Sequence, residues 1–157
     1  MSRAILIRYG LPFCERFAGV LNGLQPLAAL MARAYVAQVF FLSGLTKLRD
    51  WSVTLALFQD EYKVPLLPPE IAAVMGTTGE LVLPVLLLLG LFGRFAALGL
   101  SVVNAVAVLS LAEIAPAALQ LHITWGILLA ALAVFGCGRW AADTLVWAWL
   151  VNWKKSV

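Results

Sequence analysis

Between Ile71 and Leu91 the chain reads IAAVMGTTGELVLPVLLLLGL, about 21 residues in which Glu80 is the one charged side chain. As a helix rising ~1.5 Å per residue, this segment is about 30 Å long, the thickness of a bilayer's hydrocarbon core. Few folds can hold it. Inside lipid only helices and closed barrels satisfy their own backbone polar groups, and an apolar run without alternation reads as helix. A carboxylate at its centre costs roughly 2.5–3.5 kcal/mol on insertion scales, so it should face a protein interior and find a partner.

The rest of the composition agrees. The chain of 157 residues is 63% hydrophobic and 12% charged, where soluble domains carry about 25% charged residues. Its mean hydropathy is +0.96. The fold class implied is all-α: a polytopic membrane four-helix bundle in a lipid bilayer, as one domain. The net charge of +3 comes from scattered Lys and Arg, so no nucleic-acid partner is indicated. Cys14 and Cys137 form no CxxC pair and His122 is the single histidine. No metal set is indicated, and a haem held by two histidines of this chain is excluded.

Four spans are expected, at about 27–45, 71–91, 95–111 and 118–135. Before them, residues 1–26 are interrupted by Arg8, Pro12, Glu15 and Arg16. No cleavable signal core forms, and a short amphipathic segment at the membrane surface is expected. In the first loop Trp51, Leu55, Phe58 and Tyr62 recur with helical period, Asp50 stands at an N-cap position and Pro65 ends the pattern. A short interfacial helix is expected there. Residues 136–157 hold Trp140, Trp147, Trp149 and Trp153 with terminal Lys154 and Lys155, which suits an interfacial C-terminal helix. Lys and Arg in the N-terminal segment, the Arg94 turn and the C-terminal segment outnumber those of the other side (Lys47, Arg49 and Lys63). Both termini should therefore be cytoplasmic, with the long first loop outside.

Depth along each helix places the polar residues. Arg33 lies about 9 Å and Glu80 about 16 Å from the cytoplasmic face, a gap of about 7 Å that a long arginine side chain can bridge. Gln38 and Asn104 fall in the same layer. An intramembrane polar site of Arg33, Glu80, Gln38 and Asn104 is expected, with Arg33 and Glu80 paired and with His122, Lys47 and Tyr62 toward the outer mouth. Such a pair serves equally well as a device that fixes helix register.

Several segments resemble the DoxX family of small four-helix membrane proteins: VFFLSGLTKLRDW after Arg33, the loop ending EYKVPLLPPE, and GELVLPVLLLLGLFGRFAAL. The resemblance covers roughly residues 30–143. It includes the SGLTKL run with Lys47, Tyr62–Pro65, Glu-Leu-x-x-Pro at Glu80–Pro84, and the Gly90–Arg94 turn. The family often closes on a Gly-x-Gly-(Lys/Arg)-x-Ser-x-Asp-like segment. Here Gly136–Gly138, Arg139 and Asp143 fit it, with alanine at 141 and 142 where serine is common.

The resemblance implies a bacterial inner-membrane subunit of a membrane-associated oxidoreductase system, with a protein partner and a quinone as the candidate cofactor or substrate. The chain carries no cofactor motif of its own, so it would be at most an accessory subunit, with Arg33, Glu80 and His122 offering hydrogen bonds and a proton route. The alternative is a non-enzymatic module, a small transporter or scaffold in copper or oxidative-stress handling that works as a homo-oligomer or with a metal-handling partner.

Overall fold

A computed structural model describes residues 11–146 together with Trp149 and Trp153. The first ten residues, Trp147, Lys154 and Lys155, for which surface placement was expected, lie outside the described residues. Among the described residues five helices have both ends defined: α1 (Leu11–Arg49), α2 (Trp51–Asp60), α3 (Pro69–Leu89), α4 (Gly93–Leu109) and α5 (Pro116–Phe135), and residues 142–146 are helical as well. The described residues are helical, with turns between helices and no strand.

Among the described residues, α1, α3 and α5 are long and apolar enough to cross a membrane, and α4 is a shorter apolar helix of 17 residues. The chain is a membrane protein built as a helical bundle. Helix α1 packs along α3, α3 along α4, α4 along α5, and α5 closes back on α1. Short connections make α3, α4 and α5 successive antiparallel neighbours, while α1 meets α3 through α2 and the long first loop. The core is a layer of Val36 and Phe40 from α1, Leu87 from α3, Leu100 from α4, and Leu129 and Leu132 from α5. Small residues permit this approach, as expected where lipid supplies no hydrophobic drive between helices. At Gly44 an added Cβ would lie 2.9 Å from Leu81 and 3.1 Å from the Glu80 Cβ, so α1 and α3 are nearly in backbone contact beside Glu80.

Helix ends follow local chemistry. Pro69 and Pro116 stand at the first positions of α3 and α5, where a fixed φ and a missing N–H cost nothing. Gly90 stops α3 in the left-handed region at φ 68°, two residues before the apolar run ends. Helix α1 runs unbroken through Pro26, and from Pro12 to Gln25 its side chains are exposed. Pro26 is the first buried residue, lying beneath Gly138. Residues 11–26 are thus continuous with the first span.

Helix α2 starts as expected, with the Asp50 carboxylate accepting from the Val53 N–H at 3.1 Å and the Ser52 hydroxyl at 2.7 Å. Those two hydrogen bonds hold its carboxyl below the usual 3.8. Of the expected stripe, Phe58 is buried against Ala72 and Ala73 of α3, Tyr62 stacks on Phe58 at 5.1 Å, and Trp51 remains exposed.

Candidate functional site

Glu80 has a partner, but it is not Arg33. Its Oε2 accepts from the Lys47 Nζ at 2.6 Å, and Lys47 also donates to the Ser43 hydroxyl, one turn earlier, at 2.9 Å. The expected Arg33–Glu80 pair is corrected by the direction in which side chains lean. Each Cα–Cβ bond tilts toward its own helix's N-terminus. Lys47 near the end of α1 and Glu80 in the antiparallel α3 therefore lean toward one another. Arg33, a few turns earlier on α1, leans away.

The ion pair lines a cavity of about 360 Å³ between α3, α4 and the first loop. Its walls are mostly apolar, including Phe58, Val64, Met75 and Val103, with the Lys47–Glu80 pair, Tyr62 and Ser110 as the polar groups. The loop is held over it by a hydrogen bond from the Lys63 N–H to the Ser110 carbonyl at 2.9 Å. Burial first, and then the negative charges of Glu80 and Glu61, push the Tyr62 hydroxyl above its usual 10.0. Tyr62 thus stays a neutral donor at physiological pH. The side chains of Lys47 and Glu80 are 15% and 10% exposed, so the pair is shielded yet reachable from the cavity.

The other expected residues go elsewhere. Asn104 is buried on α4 and clasps His122 on α5: its amide donates to the His122 carbonyl at 2.9 Å, and its oxygen meets the His122 Nδ1 at 2.8 Å. Trp125 packs edge-on against His122 at 4.9 Å and against Phe40 at 5.9 Å. This cluster joins α1, α4 and α5 and lies outside the cavity wall. Gln38 is on the exposed side of α1, so the expected interior layer of four residues does not form. Exposure follows from its position, since the buried neighbours Val36, Ala37 and Phe40 define the packed face.

Arg33 is fully buried at the opposite end of the bundle. Its Nη2 donates to the Trp140 carbonyl at 3.2 Å, while Nε and Nη1 have no partner among the described residues. The segment after α5 wraps this end. The Asp143 carboxylate accepts from the Phe92 N–H at 2.8 Å and the Gly93 N–H at 2.9 Å, and the Asp143 N–H donates to the Gly90 carbonyl at 3.0 Å. It caps α4, whose own N-cap residue, Phe92, supplies no side-chain bond. Buried Cys137 lies nearby, and burial raises its thiol above the usual 9.0. Among the described residues no three His, Cys, Asp or Glu side chains converge as a metal would need.

Sequence reasoning gave no role to Ser43, Ser110 or Asp143. Ser43 was signalled by its i,i+4 spacing to Lys47. Asp143 carried no local signal, because the amides it caps lie about 50 residues upstream.

Comparisons with known proteins bear on most of the chain. The DoxX family model matches residues 28–113, a stretch that holds Lys47, Tyr62, Glu80 and Asn104. An uncharacterized protein of Haemophilus influenzae is 30% identical over 129 residues, covering 76% of this chain and 83% of the relative. No solved structure matches. With a family model spanning more than half of its residues, the chain belongs to the DoxX family.

Proposed function

We propose that this protein is the membrane-embedded subunit of a redox system and that its Lys47–Glu80–Tyr62 cavity holds a quinone head group. The observation that carries this reading is one ion pair and the hydroxyls of Tyr62 and Ser110 lining a mostly apolar cavity within an apolar bundle. Small-molecule sites have this character: apolar walls with a few convergent polar groups. The volume of about 360 Å³ lies at the small end of such sites and fits a single ring with the start of its tail.

Each group has a role. Lys47 and Tyr62 are donors suited to quinone carbonyl oxygens, and Glu80 is a proton-holding group beside them. Two-electron reduction of a quinone to a quinol takes up two protons, one on each oxygen. The Lys47–Glu80 pair and Tyr62 can hand protons to those oxygens, and the first loop supplies a short route for replacing them. The electrons come from a partner redox protein, since the chain carries no redox motif of its own. The role is therefore that of a docking and proton-handling subunit in the inner membrane.

Titration of purified protein with a short-tailed ubiquinone analogue, read by quenching of tryptophan fluorescence, tests the assignment. Lys47→Met, Glu80→Gln and Tyr62→Phe should each weaken binding, the first two at least tenfold. Gln38→Ala, on the exposed side of α1, should leave it unchanged. Equal affinity in all four variants would remove quinone from this cavity.

A further inference from the structure

A second cavity, of about 680 Å³, lies at the other end of the bundle, between the α3–α4 turn and the segment after α5. Its polar wall carries Arg94, the second residue of α4, and Arg139, four residues past the end of α5. Its apolar wall carries Phe95 and Phe135, 66% and 77% exposed at the ends of their helices. Asp143 also lines it, but both of its carboxylate oxygens are occupied by the Phe92 and Gly93 N–H groups. Neither Arg94 nor Arg139 has a carboxylate within ion-pair distance among the described residues. Behind the wall, Arg33 adds a third guanidinium, fully buried and paired with no carboxylate. Three arginines thus stand against one carboxylate that is already engaged.

We infer that this groove seats one anionic glycerophospholipid, its phosphate on Arg94 and Arg139 and an acyl chain along Phe95 and Phe135. Planar guanidinium groups match phosphate oxygens in pairs, and two features favour a lipid over a soluble phosphate. Both arginines sit where helices end, the depth of the headgroup phosphates. The aromatic side chains beside them continue the groove onto the lipid-facing surface of α4 and α5. Excess positive charge complements an anionic head and offers nothing comparable to a zwitterionic one. This site is separate from the Lys47–Glu80 cavity, and the proposed quinone role does not bear on it.

Native mass spectrometry of the detergent-purified full chain, titrated with phosphatidylglycerol, phosphatidylcholine or inorganic phosphate, tests the inference. Wild type should retain one phosphatidylglycerol per chain in preference to phosphatidylcholine, and millimolar phosphate should not displace it. A juxtamembrane cation contributes about fivefold to anionic-lipid affinity. Arg94→Gln and Arg139→Gln should each therefore lower retention about fivefold, and the double variant about 25-fold. Arg49→Gln removes another exposed charge, at the opposite end of the bundle, and should have no effect. Equal retention by the double variant, or an equal loss in Arg49→Gln, would overturn the site in favour of diffuse attraction. Displacement by phosphate alone would make it an ion site and overturn the lipid. Both arginines are exposed, and circular dichroism of the double variant should match wild type.

Discussion

At the scale of single residues, Glu80 shows what a sequence can and cannot say about a buried charge. Its depth implied a partner, and a partner exists. Choosing it by depth alone selected Arg33, because the estimate ignored the lean of side chains toward their own helix N-terminus. That rule works from sequence once the helices are known to be antiparallel, and it selects Lys47. The pair is shielded enough that leaving either charge alone should cost more than losing both. Glu80→Gln and Lys47→Met should each destabilise the bundle by about 1–3 kcal/mol, the cost of leaving a largely buried polar group unsatisfied, measured by reversible unfolding in mixed detergent micelles. Lys47→Met combined with Glu80→Leu should recover most of that loss, whereas additive losses would show that the two side chains act independently. Asp50 offers a pH test outside the membrane. Its folded pKa is depressed, so its cap strengthens α2 above the unfolded value of 3.8 and fades as pH falls through the folded value. Amide exchange at Val53 should accelerate as pH is lowered through that window beyond the intrinsic trend, and Asp50→Asn should abolish the extra dependence.

At the scale of elements, spans were legible because apolar runs bounded by proline and glycine carry both their type and their limits. Pro69 and Pro116 moved two helix starts by two residues, and Gly90 moved one end. What was not legible is the dependence of α4 on a residue about 50 positions away. Asp143 looked like part of a family-like ending, yet its carboxylate takes the two amides at the start of α4. Asp143→Ala should cost about 1–2 kcal/mol, with faster exchange of the Phe92 and Gly93 amides, while Asp143→Asn should keep much of the cap. Glycines offer a second contrast. At Gly90, φ is 68° and an added Cβ would meet Ala141 at 2.5 Å as well as the Arg33 guanidinium. Gly90→Ala should therefore lower the melting temperature sharply. Gly19 has nothing within 4 Å, so Gly19→Ala in an exposed helix should be neutral or stabilising by up to about 1 kcal/mol.

At the scale of the whole molecule, a membrane bundle followed from composition and four apolar runs, but the reach of α1 did not. Pro12, Glu15 and Arg16 looked like interruptions of a separate surface segment, yet α1 continues through them with exposed side chains and on through Pro26, its first buried residue. By the balance of Lys and Arg the first loop is expected outside and both termini in the cytoplasm, an orientation that labelling tests. Leu66, fully exposed in that loop, is the position to probe. With Cys14 and Cys137 replaced by serine, Leu66→Cys should react with a membrane-impermeant maleimide in intact cells, and a cysteine at Arg94 should react only after lysis. The reverse pattern would invert the topology. The cap on α4 also bears on how the chain is made. Phe92 and Gly93 are synthesised about 50 residues before Asp143, and Arg33 waits longer still for the Trp140 carbonyl, 107 residues downstream. Until synthesis has passed Asp143, the four helices can enter the bilayer while one end of the bundle stays open. A nascent chain stalled before that residue presents membrane proteases with an α4 that still lacks its cap.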